Sequence, residues 1–564
     1  MAARQKLYLR QKAKTGGRIT TGWRGCTLRN QRSLVSFIGF SLLLLLLDPA
    51  AVRANETPRA FPPDQLGKVN FPTSCSADVQ PAIEKGVALL HSFQYKESEQ
   101  TFSDAATRVP KCAIAYWGKA MALFYQLWEF PGDKKLKEGR KDIEKALKLR
   151  SANPREQGFL DAAAAFFQKK SKLTHAARIQ AYSDSLERFY AQSSGDVEIG
   201  AFYALSLVAL SYVDESNMLA HQKKAISVLQ PLLQQYPDHP GIAHYLIHAT
   251  DRPELAAQGL EAARRYAAIA PDSAHALHMP SHVFVRLGLW QDSIASNIAA
   301  NASGAHAAEM HLAEYHYQTH AMDFLSYSYL QSGQEAKARE VIEHADHVVG
   351  ASEENKASDR AYLAARTALE LRRWKEAASL PIPAIRRDWL DTIYWARAIG
   401  AARSGDISAA EADVKELSQL VAGREKRARK EGYGVSTEKA TDLREAEAWL
   451  AFANGKSDEA LQELRAAADR QDKNGGESVS IPAREMLADM LLELKRPAEA
   501  LAEYKAALKN SPNRFDGLLG AARAARASGD TSEAQSLYAK LEEICSPGAD
   551  RPELAEAKTY LAQK

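Results

Sequence analysis

The stretches His239-Pro-Gly-Ile-Ala-His244-Tyr-Leu-Ile-His248-Ala-Thr-Asp251-Arg252 and His275-Ala-Leu-His278-Met279-Pro-Ser-His282-Val-Phe-Val-Arg286 place the same residue types in the same order. His244 and His278, His248 and His282, and Arg252 and Arg286 are each 34 residues apart. A period of about 34 residues marks a helix–turn–helix solenoid. Within each histidine pair the spacing of four sets both imidazoles on one helix face, about one turn apart. Stacked repeats then bring four imidazoles onto neighbouring helices, facing the same way. That arrangement suits a transition metal.

The period recurs at the C-terminus. Ile481–Arg514 carries Ala488, Ala500, Tyr504 and Pro512, and Phe515–Gly548 carries Ala522, Ala534, Tyr538 and Pro547. The Ala and Tyr pairs are each 34 apart. Small residues let helices approach, and the aromatic fills the space between repeats. Gly86 with Phe102, Pro237 with Pro271, Gly288 with Trp290, Gly333 with Ala338, and Gly455 with Ala460 repeat the pattern. These residues resemble the tetratricopeptide repeat from about Val79 onward. The resemblance implies an all-α, right-handed superhelical solenoid. Irregular spacers are expected near Pro131–Asn153, Gly350–Ser358 and Arg424–Thr441. The expected divisions are a signal segment (1–54), an extended leader (55–78), a His-bearing solenoid (79–347), middle repeats (358–440), and C-terminal repeats with a capping helix (441–564).

Ten of the 15 histidines lie between His239 and His320. In the tetratricopeptide family the first helix of each unit lines the concave surface. The resemblance therefore implies that His244, His248, His278 and His282 face a groove. His275 and His320 match an earlier place on the helix, and Asp323 matches His244 and His278. Packed helices sit about 8–10 Å apart, so side chains from two of them can meet at one ion. His244, His248, His278, His282, His320 and Asp323 are the expected ligands. Imidazole with carboxylate suits zinc, copper, iron or nickel. So many histidines exceed one tetrahedral site, which leaves two ions, or one ion with further imidazoles around it. Arg252 and Arg286, with His275 and Asp251 beside them, are the expected contacts for an anionic small molecule. His91 can point into the groove but has no phased partner. Met279, Met310 and Met322 read as core filling.

The first 54 residues hold ten Lys/Arg, one acid, and an apolar core from Leu34 to Leu47. Ala51-Val-Arg-Ala54 follows with small residues suited to cleavage. The expectation is export, periplasmic or secreted, with membrane attachment only where this segment stays uncleaved. Its loss leaves 63 basic and 69 acidic residues, a formal charge of −6. The whole-chain charge of +3 therefore gives no reason to expect nucleic acid, and no basic, aromatic-interleaved patch does either. Of the three cysteines beyond that segment, Cys75 and Cys112 can pair in an oxidising compartment, or all three can be reduced. There is no His-Glu-x-x-His motif, phosphate-binding glycine loop or Gly-x-Ser-x-Gly elbow.

Lys111-Cys112-Ala-Ile-Ala-Tyr-Trp-Gly118 and the two histidine stretches also resemble a family of exported bacterial tetratricopeptide proteins with a His-rich central region. This likeness spans most of Phe71–Gly333. It implies export and a functional His groove, and names no substrate. Three readings follow: a metal-holding binding or scaffold protein, a metal-dependent enzyme (hydrolytic or oxidative) with Asp251 or Asp323 as base, and a metal-free adaptor for a protein or peptide in the groove.

Overall fold

The computed structural model describes residues 65–563 apart from 128–129, 150, 152, 170–172, 194, 312–314, 432–436 and 546. The expected signal segment and the first part of the leader lie outside the described residues. Among the described residues every regular element is a helix, and none is long and apolar enough to cross a membrane.

The helices form consecutive antiparallel hairpins. The first four are α1 (Gln80–His91) with α2 (Tyr95–Arg108), α3 (Ala113–Leu123) with α4 (Asp133–Leu149), α5 (Pro154–Phe167) with α6 (His175–Gln192), and α7 (Val197–Ser211) with α8 (Met218–Gln235). Next come α9 (Pro240–Thr250) with α10 (Leu260–Ile269), the broken helix α11–α12 (Ala274–His278, Pro280–Arg286) with α13 (Trp290–Glu309), and α14 (His316–Gln331) with α15 (Glu335–His344). Then follow α16 (Glu353–Glu370) with α17 (Trp374–Ala378), α18 (Asp391–Ser404) with α19 (Ile407–Glu431), and α20 (Thr437–Ala453) with α21 (Ser457–Asn474). The last are α22 (Ala483–Glu493) with α23 (Pro497–Asn510), α24 (Phe515–Ala527) with α25 (Thr531–Ile544), and the closing α26 (Leu554–Ala562). The chain is an all-α solenoid of helix–turn–helix repeats.

Local chemistry sets the hairpin ends. The side chains of Asp196, Ser273 and Ser352 accept backbone N–H groups at the starts of α7, α11 and α16, satisfying donors that have no intrahelical partner. Inside the hairpins the small residues act as the repeat requires. Ala488, Ala500, Ala522 and Ala534 are completely buried, and Tyr504 and Tyr538 fill the space beside them. A Cβ at Gly118 would stand 2.3 Å from the Phe102 ring, so α3 can approach α2 only with glycine there.

Two of the expected spacers are helical. Residues 133–149 form α4, which buries Ile143 and Ala146; its dense lysines mask the apolar stripe. Ser352 caps α16, so that spacer is largely the first turn of a helix. In the third, α19 continues through Arg424 to Glu431. Packing is continuous across 347–358, where Val348 and Tyr362 share one core with Met322 and Val341. Cys75 and Cys112 are bonded, which fastens the leader to the start of α3, and Cys545 is a free thiol.

The solenoid curves tightly. The Tyr317 hydroxyl at the start of α14 donates to the Phe93 carbonyl in the first turn, 3.3 Å away. The C-terminal hairpins fold back on the central ones: Trp290 Nε1 donates to the Asn513 carbonyl at 2.8 Å, and Asp550 accepts the Glu335 and Ala336 amides. At this seam Arg514 is 1% exposed between Glu370 and Glu485, with Nε–O and Nη–O distances of 2.8 and 2.9 Å, and also donates to the Tyr327 hydroxyl at 2.6 Å. Removing one partner of a buried ion pair leaves an uncompensated charge and costs about 3–5 kcal/mol. Arg514→Met is expected to lower the denaturation midpoint by that order, whereas Arg429→Met, on an exposed helix face, should leave it within experimental error.

Candidate metal centre

Six histidines converge in two trios. The first joins His244 and His248 on α9 to His275 on α11; the second joins His278 and His282, on either side of the α11–α12 break, to His320 on α14. Each trio follows one rule: an i,i+4 pair from one hairpin, and a third ring from the opening turns of the next. Ligating atoms within each trio lie within 4.8 Å of one another. The 34-residue register is thus a spatial repeat of the site.

In the second trio the tautomers are fixed. Asn297 Nδ2 donates to the Ser293 carbonyl, so its Oδ1 is the atom 2.7 Å from His278 Nδ1. His278 Nδ1 must therefore carry the proton. His282 Nδ1 lies 2.8 Å from Asp251 Oδ2, and a carboxylate only accepts. In neutral rings both Nε2 atoms are left with lone pairs, and they face each other at 3.1 Å. Two neutral acceptors do not attract at that distance; a cation or a shared proton is required between them. His320 adds a ring 4.3 Å from that of His278, and its Nδ1 is buried without a hydrogen-bond partner.

The first trio is built alike. The His91 carbonyl accepts from His244 Nδ1 at 2.5 Å, which leaves His244 Nε2 as a lone pair. That atom lies 3.0 Å from His275 Nε2 and 3.1 Å from His248 Nε2. Two nitrogens bound to one tetrahedral ion at about 2.0–2.1 Å stand about 3.3–3.4 Å apart, so both trios approximate the edge of a coordination shell. An acceptor held on the far nitrogen of a ligating imidazole is the usual outer support of a histidine–metal bond.

Burial keeps His244, His248, His275, His278 and His320 neutral. Desolvation first, and neighbouring imidazoles next, push His248, His275 and His320 well below the usual histidine range. Burial drives His244 and His278 down to about 3. Burial alone would raise Asp251, but Arg286 and His282 overcome it and hold the carboxyl well below its ordinary value.

The third cluster of ligand-type residues is different. His91 Nε2 and His239 Nε2 each reach one oxygen of Glu198, at 2.8 and 3.1 Å. His239 Nδ1 accepts the Ile242 amide, and His91 Nδ1 lies 2.8 Å from the Tyr245 hydroxyl. Each of these ring nitrogens has its proper partner, so the group is a closed hydrogen-bond network. It holds the turn whose carbonyl orients His244. Sequence reasoning missed Glu198 and Asn297, which sit far from the histidine pairs in the chain and carry no periodic signal.

Several expected roles change. Asp323 joins neither trio; it accepts from the Tyr362 hydroxyl at 3.3 Å and pairs with Arg366 at 3.6 Å, because its face of α14 meets α16. In place of an anionic molecule, Arg252 donates to the carbonyls of Lys473 and Asn474, and Arg286 to those of Gly475 and Gly476 and to Asp251. The duplicated arginines thus grip the chain's own turn after α21. Asp251, expected beside an anion, orients His282 and accepts from Ser478 Oγ at 2.8 Å. His275, expected beside a ligand, is the third member of the first trio. His244, His248, His275 and His278 are each at most 4% exposed, and His282 and His320 are half-buried.

No family model and no curated protein matches the chain. Among solved structures, a human IFIT1 dimer with PPP-AAAA is similar at 12% identity and a TM-score of 0.36, over 82% of this chain and 89% of that one. The crystal structure of yeast Tom70 is similar at 13% identity and a TM-score of 0.33, over 86% and 96%. Likeness of this degree says nothing about ligands.

His244 and His278 have folded-state values near 3 against an ordinary 6.5. A depressed folded value means that the unfolded chain binds protons first as pH falls. Stability is then whole above 6.5 and is lost toward 3, by up to about 1.4 kcal/mol per pH unit for each such ring. Metal-free protein should show a denaturation midpoint that is flat above pH 6.5 and falls steeply below it, and His244→Gln/His278→Gln should show a shallower fall.

Proposed function

We propose that this protein is an exported solenoid that holds two transition-metal ions, one in each histidine trio. The observation that carries the reading is the pair of facing lone pairs on His278 and His282. Their Nδ1 protons are committed to Asn297 and Asp251, so the facing nitrogens suit a shared cation better than a direct contact. Zinc, copper, iron and nickel all accept such donors. The bond between Cys75 and Cys112, with the basic, apolar and small-residue order of residues 1–54, supports export to an oxidising compartment.

Hydrolytic catalysis is the weaker form of the enzyme reading. Asp251 and Asp323 were the candidate bases, and both are taken up by arginine and by a second polar partner. A binding or redox centre needs no such base.

Elemental analysis of the mature protein, from about Asn55, is expected to find two ions per chain, and one in each of His244→Gln and His278→Gln. Protein that takes up no zinc, copper, iron or nickel on loading would overturn the reading and leave a proton-sharing histidine core. Loss of the outer support commonly weakens a metal site 10–100-fold. Asp251→Asn is expected to lower the affinity of one site by about that factor in a chelator competition, and to leave the other unchanged.

A further inference from the structure

We propose that the two trios act as one dinuclear copper centre that binds dioxygen between its ions. This rests on the metal reading above and names the metal and the ligand.

The trios are contiguous. The rings of His248 and His282, and those of His275 and His278, are 6.5 Å apart across the gap. Within a trio the separations run from 4.3 to 6.2 Å. Two ions held this way are close neighbours. Three nitrogens leave each ion short of a full shell, and among the described residues no further His, Cys, Asp or Glu joins either trio. Phe93 packs on the first trio, with ring centroids 4.3, 5.6 and 5.6 Å from His244, His248 and His275. Phe324 packs on the second, at 4.8, 4.6 and 5.2 Å from His278, His282 and His320. These apolar walls supply no ligand and leave the open position to a small molecule from outside.

Charge selects the metal. Neither trio contains a carboxylate, and Asp251 is matched by Arg286. Two dications would bring four positive charges into a site where, among the described residues, no carboxylate joins either trio to offset them, which is costly. Two copper(I) ions bring two, and imidazole binds copper well. When dioxygen enters, each copper(I) gives up one electron. The oxygen–oxygen double bond becomes a single bond, and the resulting peroxide bridges two copper(II) ions. No proton moves, and the total charge of the site stays at two positive. The reverse electron transfer releases dioxygen. A buried, neutral donor set favours a reaction that leaves its net charge unchanged.

The test uses the mature protein loaded with copper(I) without air and then exposed to dioxygen. The expected result is uptake of one dioxygen per copper pair, with no mononuclear copper(II) signal in electron paramagnetic resonance because the bridged ions are coupled. His278→Gln, loaded with one copper, should take up no dioxygen at that ratio and should give an ordinary mononuclear signal once oxidised. Wild-type protein that binds two coppers but shows two independent signals, or no uptake, would overturn the dinuclear proposal and leave the metal reading standing. Failure to bind copper while binding zinc would also overturn it. Failure to bind any metal would overturn the metal reading itself.

Discussion

The centre of this molecule depends on where three protons sit. The His91 carbonyl, the Asn297 amide oxygen and the Asp251 carboxylate each take the Nδ1 proton of a histidine. A buried imidazole cannot turn to water for an alternative, so each of these hydrogen bonds fixes a tautomer and aims the opposite nitrogen inward. The remaining features serve this outcome. Desolvation keeps His244 and His278 neutral, the phenylalanines pack on both trios, and the curvature of the solenoid brings the first turn onto the fifth hairpin.

The hairpins were legible because their signals are local and repeat. Alanine and tyrosine at 34-residue intervals mark where helices touch, and the structure buries each of them. The histidine pairs were legible for the same reason. His320 followed from its place on the helix, whereas His275 was expected beside a ligand and joins the first trio. Asp323 shows the limit: its register matches His244, but the neighbouring helix presents Arg366 there, and an ion pair forms. Position in a repeat tells which way a side chain points and leaves open what it meets.

Arg252 and Arg286 teach the complementary lesson. Their equal spacing signals a shared task, and they share one, gripping consecutive carbonyls of residues 473–476. The partner lies over 180 residues away along the chain, and depends on curvature summed over many hairpins. No local pattern encodes that sum. The same holds for Glu198, which clamps two histidines from different hairpins.

The acceptor for His244 comes from 153 residues upstream, and the serine that steadies Asp251 from 227 residues downstream. Neither trio has its full support until both ends of the solenoid have docked on its middle. An ion held as proposed would then be a late arrival in the life of the chain. A nascent or unfolded polypeptide presents scattered imidazoles of ordinary basicity, with no preference for one metal over another. On the metal proposal, selection would begin only once folding is complete, so the place of folding would decide which metal pool the site could draw upon.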